Sequence, residues 1–214
     1  MAHHLPIDQI TGLILSGGRG LRVGGEDKGL LIFNDEAIVQ RVFNRLKAQV
    51  KFIIVSANRH VEEYKKFGAP VVKDRLADFQ GPLAGIEAVL SVCPTPYLVV
   101  VPCDAPFISH DLLNKLYIEM ERTSANVVYA KGLDASGQVA AEPMFALLRA
   151  STLSHLRAYL ATGQRKVLGW YQSLDYSSVL IEDSLCFSGY LLYILSAHTG
   201  WAHQRKPRSN LKIS

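Results

Sequence analysis

The stretch from Leu15 to Leu30 reads Leu-Ser-Gly-Gly-Arg-Gly-Leu-Arg-Val-Gly-Gly-Glu-Asp-Lys-Gly-Leu. It joins a dense run of glycines to the cations Arg19, Arg22 and Lys28. Glycine lets bare backbone N–H groups come close to an anion, and the cations neutralise its charge. The chemistry this suits is the binding of a phosphate chain. Spacing excludes two common phosphate loops. A Walker A loop needs Gly-Lys followed by Ser or Thr, whereas Lys28 stands between Asp27 and Gly29. A dinucleotide fingerprint needs a third glycine where this chain has Val23.

Three other groups of residues could do chemistry. Asp104 follows the apolar run Val99-Val100-Val101 and the pair Pro102-Cys103. A carboxylate at the end of a buried strand has a fixed position and little water, which suits a Mg²⁺ ligand that bridges to substrate phosphates. The same residue also fits a turn aspartate. Ser56-Ala57-Asn58-Arg59-His60 follows another apolar run, and its polar side chains can hydrogen-bond a base. Asp74 precedes Gly81-Pro82-Leu83-Ala84-Gly85, whose glycines let backbone approach a ligand at a helix start. Lys28 is the first candidate for a phosphate-contacting cation, with Arg22 second, and Arg19 reads as solvated. Asp27 either orients Lys28 through a charge pair or lies at the surface, and His60 reads as structural.

These residues must be held by strands and helices in alternation. Apolar runs predict strands over 12–15, 52–55, 69–73, 97–101, 126–130, 142–148 and 176–181. Helical spacing predicts helices over 37–50, 61–67, 81–92, 109–121 and 153–160, with Pro82 in the first turn of one and Ser109 capping another. Short apolar strands alternating with helices imply a three-layer α/β/α, Rossmann-like fold with a mainly parallel sheet. In such sheets ligands bind beyond the carboxyl ends of the strands, and every candidate named above lies at such an end.

The chain has 214 residues and is 49% hydrophobic, enough for one domain with a substantial core. The pattern divides it into a domain over 1–187 and an atypical tail over 188–214. The net charge of +4 is matched by Arg205, Lys206, Arg208 and Lys212 near the end, so the body is balanced and no nucleic-acid partner is expected. No run approaches the ~18 apolar residues of a membrane span, and the first residues lack the pattern of a secretory signal. Cys93, Cys103 and Cys186 are odd in number and widely spaced, which suggests a reducing, cytoplasmic setting and no disulfide frame.

The order small-Gly-Gly, Arg22, Gly-Gly-x-Asp-Lys-Gly resembles the signature of nucleoside-triphosphate transferases. It is most similar to the molybdenum cofactor guanylyltransferases, whose loop reads Leu-Ala-Gly-Gly, Arg-Met-Gly-Gly, Asp-Lys. Here Ser16 replaces the alanine and Val23 the methionine. The family's Asn-Ala-Asn-Arg-His segment is matched with Ser56 in its first place, and its Gly-Pro-Leu-Ala-Gly and Pro-Cys-Asp-x-Pro follow in order. The resemblance spans about residues 11–176. It implies a nucleotidyltransferase fold and transfer of GMP from GTP to the molybdenum–molybdopterin cofactor, with release of pyrophosphate. It further implies Mg²⁺ on Asp104, catalytic roles for Arg22, Lys28 and Asp104, and nucleotide contacts from Leu15, Ser16, Gly17, Gly18, Lys28, Ser56, Asn58, Asp74 and Asp104. The implied partners are GTP, the molybdopterin cofactor, other proteins of cofactor synthesis and the molybdoenzymes that receive the product. A cytidylyltransferase, another small-molecule nucleotidyltransferase, or a GTP-binding protein without transfer activity are the alternatives.

Later matches are looser. Glu142-Pro143 stands where the family often has His-Pro, and Gly163-Gln164-Arg165-Lys166-Val167 resembles its Gly-x-Arg-Arg-Val stretch. The family's Asn-x-Asn-Thr-Pro segment, associated with the acceptor pocket, has no counterpart after Phe187. Either a shifted reading frame or a diverged end accounts for that.

Overall fold

A computed structural model describes residues 5–16, 27–33, 35–75, 81–134 and 136–187. Most of the glycine loop, with Gly17, Gly18, Arg19 and Arg22, and the tail over 188–214 lie outside the described residues.

Strand β1 (Ile10–Ser16) is buried along its whole length and lies inside the sheet, paired on both sides. Its side chains alternate between two cores. Ile10 and Ile14 face one, and Leu13 and Leu15 face the other, so both faces of the strand are apolar. A hairpin follows, β2 (Ile32–Phe33) and β3 (Glu36–Ala37), which the expected strands do not include although Leu30-Leu31-Ile32-Phe33 is apolar. Helix α1 (Ile38–Lys47) turns Val39, Val42, Phe43 and Leu46 onto the Ile10–Ile14 face. Strand β4 (Phe52–Ala57) pairs parallel with β1, placing Leu15 beside Ser56 and Ser16 beside Ala57. Helix α2 (Val61–Lys65) starts from His60, an exposed residue in the left-handed region at φ 51°. It leads to β5 (Val71–Val72), which is shorter than the run over 69–73 because only two of its residues pair with β4.

Helix α3 (Pro82–Leu90) crosses to the opposite face, buries nearly every residue, and leads to β6 (Tyr97–Pro102) on the other flank of β1. Helix α4 (Leu112–Thr123) returns to the α1 face. It begins three residues later than expected, with Asp111 at its cap position, because the hydroxyl of Ser109 donates to the Asp111 carboxylate instead of capping the helix. Strands β7 (Val127–Leu133) and β8 (Val139–Arg149) complete this half, with β8 antiparallel to both β6 and β7. Helices α5 (Leu153–Ala161) and α6 (Val167–Tyr171) cover the α3 face, and β9 (Tyr176–Leu180) pairs parallel with β7. Helix α6 has no periodic signature in the sequence because five residues are too few to show a period.

The sheet order is β5-β4-β1-β6-β8-β7-β9, mostly parallel, between two helical layers. The expected three-layer α/β/α architecture is what the chain adopts. The chain leaves β1 toward β4 and β5 and then crosses to β6, so the strand order reverses around β1. Such a reversal opens a crevice at the carboxyl ends of the strands.

Candidate functional site

Two polar clusters flank the carboxyl end of β1. The first forms where β6 ends. Cys103 N–H donates to the Leu15 carbonyl at 3.0 Å, extending the β1–β6 ladder by one bond and fixing Asp104 just beyond it. The loop after Asp104 is held from below. Arg45 donates to the Ile108 carbonyl, Gln49 to the Ser109 carbonyl, and the Ser109 N–H donates to the buried Cys186 thiol at 3.3 Å. Lys28 Nζ stands 3.4 Å from Asp104 Oδ2. The two side chains are 41% and 26% exposed, so this pair adds little to stability and its charges remain available to a ligand.

Lys28 opens a tight 3₁₀ turn, Lys28–Leu30, that Asp27 caps through its side chain. Asp27 Oδ1 accepts from the Gly29 N–H at 3.1 Å and from the Tyr64 hydroxyl at 2.7 Å. Asp27 is therefore occupied by its own turn and by α2, and the ion pair of Lys28 runs to Asp104. Gly29 is jammed against this cluster. A Cβ there would lie 2.7 Å from the Tyr64 hydroxyl and 3.1 Å from Cβ and Sγ of Cys103.

Burial raises the ionisation of the Tyr64 phenol far above its ordinary range, with the neighbouring Cys103 adding to the effect. Burial, then the charge of Asp104, pushes the Cys103 thiol up to about 12. Both groups stay neutral at physiological pH. The Ser16 hydroxyl lies near both of them, in a residue only 7% exposed, yet forms no well-aligned hydrogen bond among the described residues.

The second cluster forms where β4 and β5 end. Asn58 Nδ2 donates to Asp74 Oδ2 at 2.7 Å, and the Asp74 N–H donates to Asn58 Oδ1 at 2.9 Å. The Ser56 hydroxyl reaches Asp74 Oδ1 at 3.4 Å. These bonds lock the half-buried Asp74 carboxylate at the strand ends, against which α3 also packs. Helix α3 comes close because Gly85 has no side chain. A Cβ at Gly85 would meet Ser56 Oγ at 2.6 Å and Leu15 Cδ2 at 2.8 Å.

The structure thus gathers Leu15, Ser16, Lys28, Ser56, Asn58, Asp74 and Asp104 at one edge of the sheet. Sequence reasoning missed Tyr64 and Gly29. Tyr64 falls within the helix expected over 61–67, where nothing in the sequence marks a polar partner for its hydroxyl. Among the described residues no group of three His, Cys, Asp or Glu side chains could hold a metal ion by itself.

Comparison with known proteins fits this geometry. The family model described as the MobA-like NTP transferase domain matches residues 12–175. A Polynucleobacter asymbioticus protein named molybdenum cofactor guanylyltransferase is 44% identical over 181 residues, covering 85% of this chain and 90% of its own length. The solved molybdopterin-guanine dinucleotide biosynthesis protein A from Archaeoglobus fulgidus is 20% identical with a TM-score of 0.64, over 89% of this chain and 88% of that one. A 4-diphosphocytidyl-2C-methyl-D-erythritol synthase from Anaerococcus prevotii shares the fold at 12% identity, with a TM-score of 0.68 over 94% of this chain and 98% of that one. The domain match runs from within β1 almost to the start of β9 and takes in both polar clusters, so the chain belongs to the MobA-like NTP transferase family.

Proposed function

We propose that the protein transfers GMP from GTP to the molybdenum–molybdopterin cofactor, giving the guanine dinucleotide form and pyrophosphate. One observation carries this reading: a cation–carboxylate pair and an acceptor-rich base cluster flank the same strand end, in a chain 44% identical to a protein named for this activity. The Asp74 side suits guanine. Guanine offers two adjacent donors on its pairing edge, and a fixed carboxylate offers two oxygens to receive them. Asn58 and Ser56 hold that carboxylate in place, and Leu15 lies beside them against α3.

The triphosphate would run from there along the glycine loop toward Lys28 and Asp104. Gly17 and Gly18 supply backbone donors in this reading, the Ser16 hydroxyl directly precedes them in the chain, and Arg22 adds a second cation. The donor set fits a divalent cation, Mg²⁺ in our reading. It has one carboxylate at a strand end, while Asp27 Oδ1 accepts from Gly29 and Tyr64, so substrate phosphates and water would complete the shell. When bound, such a cation neutralises charge on the phosphates that leave. In this reading Lys28, beside Asp104, adds a further positive charge. The attacking group is the terminal phosphate of the acceptor, already anionic near neutral pH, so no protein base is required. The residues position two substrates and stabilise developing charge.

The proposed setting is the cytoplasm, with other proteins of cofactor synthesis and molybdoenzymes downstream. Among the described residues no helix is long and apolar enough to cross a membrane. Mass spectrometry after mixing the protein with Mg²⁺, GTP and molybdopterin acceptor tests the reading. We expect the guanine dinucleotide and pyrophosphate. A cytosine product formed faster from CTP, or nucleotide binding with no transfer, would overturn it.

A further inference from the structure

We infer that Tyr64 is a positioning residue for Lys28, acting through the carboxylate of Asp27. The inference rests on the reading of Lys28 as a triphosphate contact. Tyr64 is fully buried on α2, far in sequence from the turn it touches. Its hydroxyl needs a partner there, and the partner is the side chain immediately before Lys28. A bond from a neutral phenol to a carboxylate is charge-assisted and strong, and burial keeps the phenol protonated.

Two consequences follow for Lys28. Asp27 Oδ1, held by Tyr64, also receives the Gly29 N–H, so the turn carrying Lys28 is anchored to α2. The turn is closed again by Leu30 N–H on the Asp27 carbonyl at 3.0 Å. Tyr64 also takes one oxygen of the carboxylate that precedes Lys28 in the chain and draws it toward α2. Released, the Asp27 carboxylate would be free to pair with Lys28 and compete with a phosphate. Tyr64 thereby leaves Lys28 facing Asp104 and the site.

The test is a double-mutant cycle on the full chain with Tyr64→Phe, Lys28→Ala and the pair, following kcat and KM for Mg-GTP, KM for the acceptor, and the thermal midpoint. Tyr64→Phe keeps the ring and removes only the donor. We expect about a tenfold fall in kcat/KM for GTP, as for loss of a bond to a charged group, with acceptor KM unchanged. In the Lys28→Ala background, Tyr64→Phe should change kcat/KM by less than about twofold, because the residue it positions is gone. The same tenfold loss in both backgrounds would overturn the inference and leave Tyr64 with a structural role alone. If Lys28→Ala itself leaves turnover intact, the functional reading fails first, and the inference with it. Should Tyr64→Phe not fold, Asp27→Ala replaces it in both backgrounds. A loss confined to the chain that keeps Lys28 then supports the inference, and an equal loss in both overturns it.

Discussion

Lys28 and Asp104 are far apart in the chain and 3.4 Å apart in the fold. As a partly exposed pair they contribute little to stability, so their loss should be felt in chemistry. We expect Lys28→Ala and Asp104→Ala each to lower kcat/KM by about two to three orders of magnitude, the range for removing a charge-stabilising group, with the thermal midpoint nearly unchanged. Steady-state kinetics beside a melting curve checks this. Cys103 tests the electrostatics differently. Its thiol rises from the ordinary 9.0 to about 12 in the folded chain, so above pH 9 the unfolded chain releases a proton that the folded chain keeps. The stability tied to this neutral thiol is complete below about pH 9 and is lost as pH climbs toward about 12. Melting curves across that range should show a decline, shallower in Cys103→Ala. The polar site residues were legible because charged and amide side chains at the ends of apolar runs have few other reasons to be there. Tyr64 was not, since an aromatic residue on a core-facing helix gives the same pattern whether or not its hydroxyl has work.

At the scale of elements, the turn Lys28–Leu30 depends on how closely it approaches β6. Adding a methyl at Gly29 would press it into the Cys103 Cβ, which the backbone anchors, and into the Tyr64 hydroxyl. Gly29→Ala should therefore cost about 1–3 kcal/mol through overpacking and raise KM for GTP, read by denaturant unfolding and kinetics together. The parallel half of the sheet was legible because β1, β4 and β6 are buried on both faces and show unbroken apolar runs. The other half was less so. Val139, Ala140 and Ala141 begin β8 before the expected start at Glu142, where the strand is partly exposed and the apolar residues stand as a short group between Gln138 and Glu142. The hairpin β2–β3 is two residues a side, too short for any alternation. Ser109 failed as a cap because Asp111, closer to the helix start, takes its hydroxyl.

For the whole molecule, the two helical layers meet the sheet in separate cores, and both polar clusters lie at the strand ends beside β1, where the strand order reverses. The end of the described chain takes part. The Cys186 thiol accepts from Ser109 in the loop behind Asp104, and Phe187 packs edge-on against Phe145 with centroids 4.9 Å apart. A chain ended after Phe187 should keep both contacts and bind GTP like the full chain. One ended after Asp183 should lose about 2–3 kcal/mol, through loss of the buried Cys186 and the partly buried Phe187 ring, as unfolding curves would show. The central claim is that Asp104 holds the cation of a triphosphate whose base sits by Asp74, across β1. Calorimetric titration of GTP with and without Mg²⁺, on the parent and on Asp104→Ala, tests it most directly. We expect Mg²⁺ to tighten GTP binding by at least about tenfold in the parent, a gain of about 1.4 kcal/mol, and to have almost no effect in Asp104→Ala, with preference for GTP over CTP retained in both. An undiminished Mg²⁺ dependence in Asp104→Ala would contradict it.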